Sequence, residues 1–200
     1  MRNKYVQDNG NEKVILKNIG SCRCFLKREK DMQEEKILLN ATLCFPIKGG
    51  KVLLGIKAKK IGQGRWNGYG GGIDGDETPE QSILRELAEE AKIKASADSL
   101  EKVAIVDFHN TNSDGRSFTC RVHVYFVSQW EGEPQETEEM LRPTWYGKDA
   151  LLLDGMMPAD REWLPIVLRG KKILAEAHYG PFQKTLLGEV KLRYVSFFSI

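Results

Sequence analysis

No stretch of this chain is apolar enough to cross a bilayer. The longest apolar run, Ile37 to Ile47, is broken by Asn40 and falls far short of the roughly 20 residues a span requires. Residues 1–20 are polar and charged and lack the apolar block of a secretory signal. Charge of one sign is also missing. Lys and Arg number 30 against 28 Asp and Glu, a net of +2, too balanced for a protein that coats nucleic acid. An anionic ligand would have to be held by a local site. Cysteine is sparse: Cys22 and Cys24 form a Cys-x-Cys pair, but no second Cys or His pair at zinc spacing follows. With Cys44 and Cys120 they read as ordinary reduced thiols. These absences predict a soluble, cytoplasmic protein with no membrane role and no stable nucleic-acid partner. His109, His123 and His178 form no motif, and His123 reads as a structural histidine on a strand.

What is present suits one core-bearing domain plus an extension: 200 residues, 41% apolar and 29% charged. Residues 1–36 are the extension, with Val14–Ile19 and Cys24–Leu26 as its apolar patches; residues 37–200 are the domain. Ile37–Phe45 and Lys51–Ile56 read as a hairpin joined by Pro46–Gly50. Seven glycines follow between Gly62 and Gly75, a density that marks unusual dihedrals or close ligand approach. The clearest helix runs from Thr78 to about Lys92. Thr78 is the N-cap, Pro79 takes the first turn, Gln81 completes a capping box, and Ile83, Leu84, Leu87, Ala88 and Ala91 form the apolar stripe. Strands are predicted at Val103–Phe108, Phe118–Val127 and Arg142–Tyr146, a second helix at Asp160–Leu168, and a strand-rich tail at Leu186–Phe198. This order suggests a mixed sheet with helices on its faces.

The polar side of the first helix carries the chemistry. Glu86, Glu89 and Glu90 lie at i, i+3 and i+4 and share one face. Like charges at that spacing repel. The stripe is either an acidic solvent face or a site for divalent cations, and Mg²⁺ prefers such oxygen donors.

Gly71, Glu77 and the run Arg85-Glu86-Leu87-Ala88-Glu89-Glu90-Ala91-Lys92-Ile93 resemble the Nudix box, every charged position matching at the right spacing. Lys92 departs, standing where the box has glycine at the helix end. A lysine forced into the left-handed conformation there costs on the order of 1 kcal/mol, and is expected to shift the helix end without removing a carboxylate. Gly62–Gly71, Glu138–Tyr146 and Met157–Pro165 are similar to MutT-type hydrolases of oxidised purine nucleoside triphosphates, so the likeness runs from Ile37 to Val190.

The resemblance implies an α/β (α+β) Nudix fold, a mixed sheet between helices in an α/β/α sandwich. It implies Mg²⁺, with Mn²⁺ as a substitute, held by Glu86, Glu89, Glu90 and the Gly71 carbonyl. Glu139, or its neighbour Glu138, serves the metals or acts as base, a one-residue insertion before Arg142 leaving the choice open. Glu77 and Arg85 pair architecturally. The implied reaction is attack of water on a nucleoside triphosphate, giving monophosphate and pyrophosphate, in a monomer that sanitises the nucleotide pool and so supports DNA repair. Asn67 matches a purine reader or is a turn residue, and Asp160 matches an acidic base reader. Met157 stands where the subgroup stacks a tryptophan and Ala159 where it has a second acid; Phe108 and Cys120 line either the pocket or the core. Trp145 and Trp163 read as packing. The altered pocket keeps open another nucleoside diphosphate-linked substrate, and Lys92 and the extension keep open a silent binding module.

Overall fold

Strand β1 (Asn40–Lys48) turns back into β2 (Lys51–Lys57) through Gly49 and Gly50 alone, both left-handed at φ 57 and 74, as a two-residue hairpin requires. The predicted five-residue connector is therefore too long: Pro46, Ile47 and Lys48 belong to the strand. The hairpin ladder holds only Lys48 with Lys51 and Ile47 with Val52. The next hydrogen-bonding position on β1 is Pro46, which has no N–H to give, and there the two strands part. The chain from Trp66 to Gly72 enters the fork. Its short strand β3 (Trp66–Asn67) pairs with Ile56 and Gly55 of β2. Tyr69 and Gly72 then bridge to Cys44 and Ala41 of β1. The computed structural model describes residues 39–59, 61–111 and 115–198; the predicted extension, with its Cys22–Cys24 pair and apolar patches, lies outside the described residues.

On its other edge β1 runs parallel to β5 (Ser117–Val127), which is antiparallel to β4 (Leu100–Thr111). β4 is parallel to β7 (Lys172–His178), and β7 antiparallel to β8 (Lys191–Val195). β6 (Met140–Gly147) pairs with β2. The sheet is mixed, as predicted. Sequence reading missed β3 and β7. In β7 the inward positions are Ile173, Ala175 and Ala177, and alanine carries little strand signal.

Helix α1 (Pro79–Glu90) forms with Thr78 as N-cap, its hydroxyl accepting from the Gln81 N–H while the Gln81 side chain accepts from the Thr78 N–H. Its apolar stripe, Ile83, Leu87 and Ala91, packs on one face of the sheet with Cys44, Leu53, Tyr69 and Tyr125. Helix α2 (Asp160–Leu168) covers the other face, where Trp163 meets Phe45 edge-on at 6.2 Å. Alternation along β1 explains the two layers: Ala41 and Phe45 face α2, Thr42 and Cys44 face α1. Trp163 is fully buried, and Trp145 stacks on Trp130 at 6.0 Å. The helix end does not shift as expected. Ala91 is its C-cap, Lys92 takes the left-handed conformation in place at φ 59, and the Ile93 N–H closes the end on the Leu87 carbonyl. β6 carries a bulge: β2 and β6 slip register between Leu54 and Ile56, opposite a left-handed Arg142 at φ 53.

Candidate active site

The glycine segment is tied to β1 by backbone alone: the Thr42 N–H donates to Gly71 O at 2.8 Å and the Cys44 N–H to Tyr69 O at 2.7 Å. That close approach admits no side chain. A Cβ on Gly70 would meet the Thr42 carbonyl oxygen at 2.2 Å, and one on Gly71 would meet Glu86 Oε1 at 2.5 Å. The backbone of Gly71 is thus pressed against the acidic face of α1.

On that face Glu86 and Glu90 are buried while Glu89 is exposed. Both Glu90 oxygens are engaged, Oε1 with Lys57 Nζ at 2.7 Å and Oε2 with the Gly70 N–H at 2.9 Å. Lys57 also donates to Gly70 O at 3.1 Å. Arg85 donates to Glu86 at 2.8 Å and Glu89 at 3.2 Å. It grips Glu77 through two bonds of 2.9 and 3.0 Å and reaches the Gly72 carbonyl at 3.1 Å. This locks the loop to the helix and holds the Glu77 carboxyl below the usual carboxylate range, the Asp74 N–H assisting. Burial pushes the Glu86 carboxyl up, the Arg85 hydrogen bond opposes the shift, and neighbouring Glu90 and Glu89 reinforce it. Two buried carboxylates beside a third, with a glycine carbonyl close by, form a hard, all-oxygen donor set that fits a divalent cation.

The carboxylates line a cavity of about 820 Å³. Glu138 and Glu139 line it too, and Lys59 lies 3.3 Å from Glu139. Asn67, Phe108, Cys120, Met157, Asp160 and Tyr179 line the walls. Asn67 Oδ1 accepts from the Gly68 N–H at 2.9 Å. Asp160 is buried. Its oxygens accept from the Met157 N–H at 3.3 Å and from Trp163 Nε1 at 3.1 Å. Burial wins over these bonds and pushes its carboxyl up to about 7. The Ala159 N–H donates to the Tyr179 hydroxyl at 2.9 Å, and the alanine side chain is buried. Cys120 is half of the described free thiols, Cys44 being the other; burial raises it to about 11.

Every predicted site residue therefore lies on this one cavity except Glu77, which acts through Arg85. Sequence reading missed Lys57 and Tyr179. Each sits on or beside a strand far away in sequence, and no local spacing marks it.

The mixed sheet with its two helices agrees with the comparisons. The model of the NUDIX domain matches residues 38–166, and the chain belongs to the Nudix family of hydrolases. It is 37% identical over 133 residues to the oxidized purine nucleoside triphosphate hydrolase of Danio rerio, covering 66% of this chain and 81% of that one. It is 37% identical over 131 residues to the protein of the same name from Mus musculus, covering 66% and 80%. The crystal structure of a MutT mutator protein from Bacillus halodurans is similar with a TM-score of 0.63 and 25% identity, covering 78% of this chain and 97% of that one. Nudix hydrolases generally use a divalent metal. Among the described residues no helix is long and apolar enough to cross a membrane.

Proposed function

We propose that this hydrolase acts on oxidised or otherwise modified purine nucleoside triphosphates, releasing the monophosphate and pyrophosphate with Mg²⁺, or Mn²⁺ in its place. The observation that carries this reading is the continuity of one cavity, lined both by the α1 carboxylates and, on its mostly apolar walls, by Asn67 and Asp160. The names of the animal relatives support the substrate class.

Glu86, Glu89, Glu90 and the Gly71 carbonyl would hold the metal, with Glu139 as a further ligand or the base. Bound there, it neutralises polyphosphate charge and lowers the pKa of a coordinated water. Glu90 satisfies both oxygens through Lys57 and Gly70, so Lys57 would have to yield Oε1 for Glu90 to hold a cation. Lys57 lines the same cavity, so its ammonium would then be available to an anionic phosphate. Arg85 fixes Glu86 and the loop together, so the carboxylates are pre-positioned. In the walls, the Gly68 N–H occupies Asn67 Oδ1, which leaves the amide N–H₂ to donate to a purine carbonyl. Asp160, with its carboxyl near 7, donates or accepts according to pH. Met157 and Phe108 supply apolar contact to the ring. The protein is proposed to act as a cytoplasmic monomer on a free nucleotide, with residues 1–36 an extension outside the catalytic domain.

A second reading keeps the mechanism and changes the substrate to a plain triphosphate, a dinucleotide or capped RNA. Ala159 favours it, because its methyl is fully buried in the core and does not line the cavity, so the second acid of that subgroup has no counterpart here. The test is pyrophosphate release from a panel of 8-oxo-dGTP, 2-oxo-dATP, a methylated purine triphosphate, the plain nucleotides and a dinucleoside polyphosphate, with and without Mg²⁺. Selective Mg²⁺-dependent release from a modified purine, lost in Glu90→Gln, supports the proposal. Release spread over the panel favours the second reading. Turnover unchanged in Glu90→Gln sinks the metal assignment, and silence across the panel points to a binding module.

A further inference from the structure

Three residues to which the reaction gives no role meet on the other face of the sheet. β4 and β7 run parallel in a register that sets His109 beside His178 and Asp107 beside Glu176. Phe108 faces the cavity, so its neighbour His109 points to the opposite side, with Glu176 and His178. One potential ligand atom from each of His109, Glu176 and His178 lies within 4.8 Å of the other two. The two imidazoles are nearly parallel, their centroids 4.3 Å apart. We infer that these three side chains form a second metal site, for a late first-row divalent ion such as Zn²⁺, separate from the carboxylates of α1.

The donor set decides the ion. Two imidazole nitrogens and one carboxylate suit Zn²⁺ and its neighbours, whereas Mg²⁺ prefers oxygen throughout. Thr119 Oγ1 lies 2.8 Å from His109 Nδ1. That hydrogen bond holds the ring and leaves Nε2 for the ion, the outer support a ligating histidine normally has. The neighbours leave room for it. Asp107 is committed to Arg121 through two bonds of 2.8 Å, and Glu176 has a loose contact with Lys191 at 3.9 Å that a metal would replace. Ligand atoms around tetrahedral Zn²⁺ stand roughly 3.4 Å apart, so the three must draw together, and the His178 ring must turn out of its parallel stack for its lone pair to converge with His109 Nε2. Three protein ligands leave a coordination position for water or an outside group. The ion would clip β4 to β7 directly behind the cavity wall.

The test uses the full chain in millimolar Mg²⁺, which occupies the oxygen sites, titrated with Zn²⁺ by calorimetry and with Co²⁺ by visible absorption. One saturable equivalent is expected, with Co²⁺ bands of a nitrogen-containing, low-coordinate site. His109→Ala, His178→Ala and Glu176→Gln should each weaken binding at least about tenfold, and Thr119→Ala about tenfold. Mg²⁺-dependent turnover without Zn²⁺ should stay unchanged in all four, which also shows that they fold. Equal Zn²⁺ affinity in the wild type and the double histidine variant overturns the site, as does the lack of any saturable equivalent in the wild type.

Discussion

Gly71→Ala separates holding the fold from holding the chemistry. The added Cβ would lie 2.5 Å from Glu86 Oε1, 2.9 Å from its Cδ and 3.1 Å from Oε2, where ordinary contact begins at 3.4 Å. The Glu86 carboxylate must retreat by about 0.9 Å, the gap between 2.5 and 3.4 Å. It is the end of a side chain and can swing, so the backbone need not move. Gly71 also has no positive φ, so alanine suits its backbone and trims the freedom of the unfolded chain by about 0.4–1 kcal/mol. The disturbed Arg85–Glu86 bond offsets this, and the melting temperature should move by no more than about 4 °C. Activity should respond differently, because a displacement near 1 Å at a reacting centre costs about 100-fold, or about 2.7 kcal/mol of transition-state stabilisation. The assay is steady-state pyrophosphate release on the best substrate of the panel, with a thermal melt of the same preparation; the loss should fall on kcat. Near-normal turnover would refute the claim that the position of Glu86 matters. A collapse in melting temperature would refute the claim that only the carboxylate yields. Gly70→Ala is the contrast: its φ of 153 and the fixed Thr42 carbonyl at 2.2 Å leave nothing to swing, and the loop should not form.

Three further outcomes are expected. Asp160 titrates near 7 when folded against 3.8 for the free group, so the native state keeps a proton the unfolded chain has lost. Stability should fall as pH rises from about 4 to about 7 and then level off, and Asp160→Asn should flatten that slope in melts across the range. Lys57→Met leaves the buried Glu90 carboxylate without its cation, at a cost of about 3–5 kcal/mol in metal-free melts. Added Mg²⁺ should recover more stability there than in wild type, and a variant as stable as wild type without metal would show the pair to be dispensable. Lys92→Gly relieves a left-handed lysine at φ 59 and should raise stability by about 1 kcal/mol, seen as a melting temperature higher by roughly 2–4 °C.

The parts legible in the sequence were those governed by short-range rules. Thr78 and Gln81 three residues on define a cap whatever the rest of the chain does, and Glu86, Glu89 and Glu90 share a face because a helix has a fixed pitch. Asp160–Leu168 was found for the same reason. What escaped depends on register between distant strands. Nothing near Lys57 signals that a fork in the hairpin brings it to Glu90. Tyr179 meets Ala159 only because β7 lies beside β4. The three histidines looked unrelated in the sequence, yet the same pairing sets two of them face to face. Even at Lys92, plain in the sequence as a departure from the motif, the outcome turns on a longer contact: the Ile93–Leu87 bond holds the helix end against the lysine's strain.

The parting of β1 and β2 at Pro46 can also be seen as a contest settled in advance. Two segments could claim the free edge of β1: the returning arm of its own hairpin, adjacent in the chain and quick to arrive, and the later glycine segment, which must close a longer loop. Left to proximity, the hairpin would zip onward and use up the Thr42 and Cys44 amides before the glycines reached them. A residue with no N–H at the first contested rung stops the zipper, and the amides stay vacant for Gly71 and Tyr69. The placement of the glycine segment against the acidic helix is thus secured by a missing donor on the neighbouring strand.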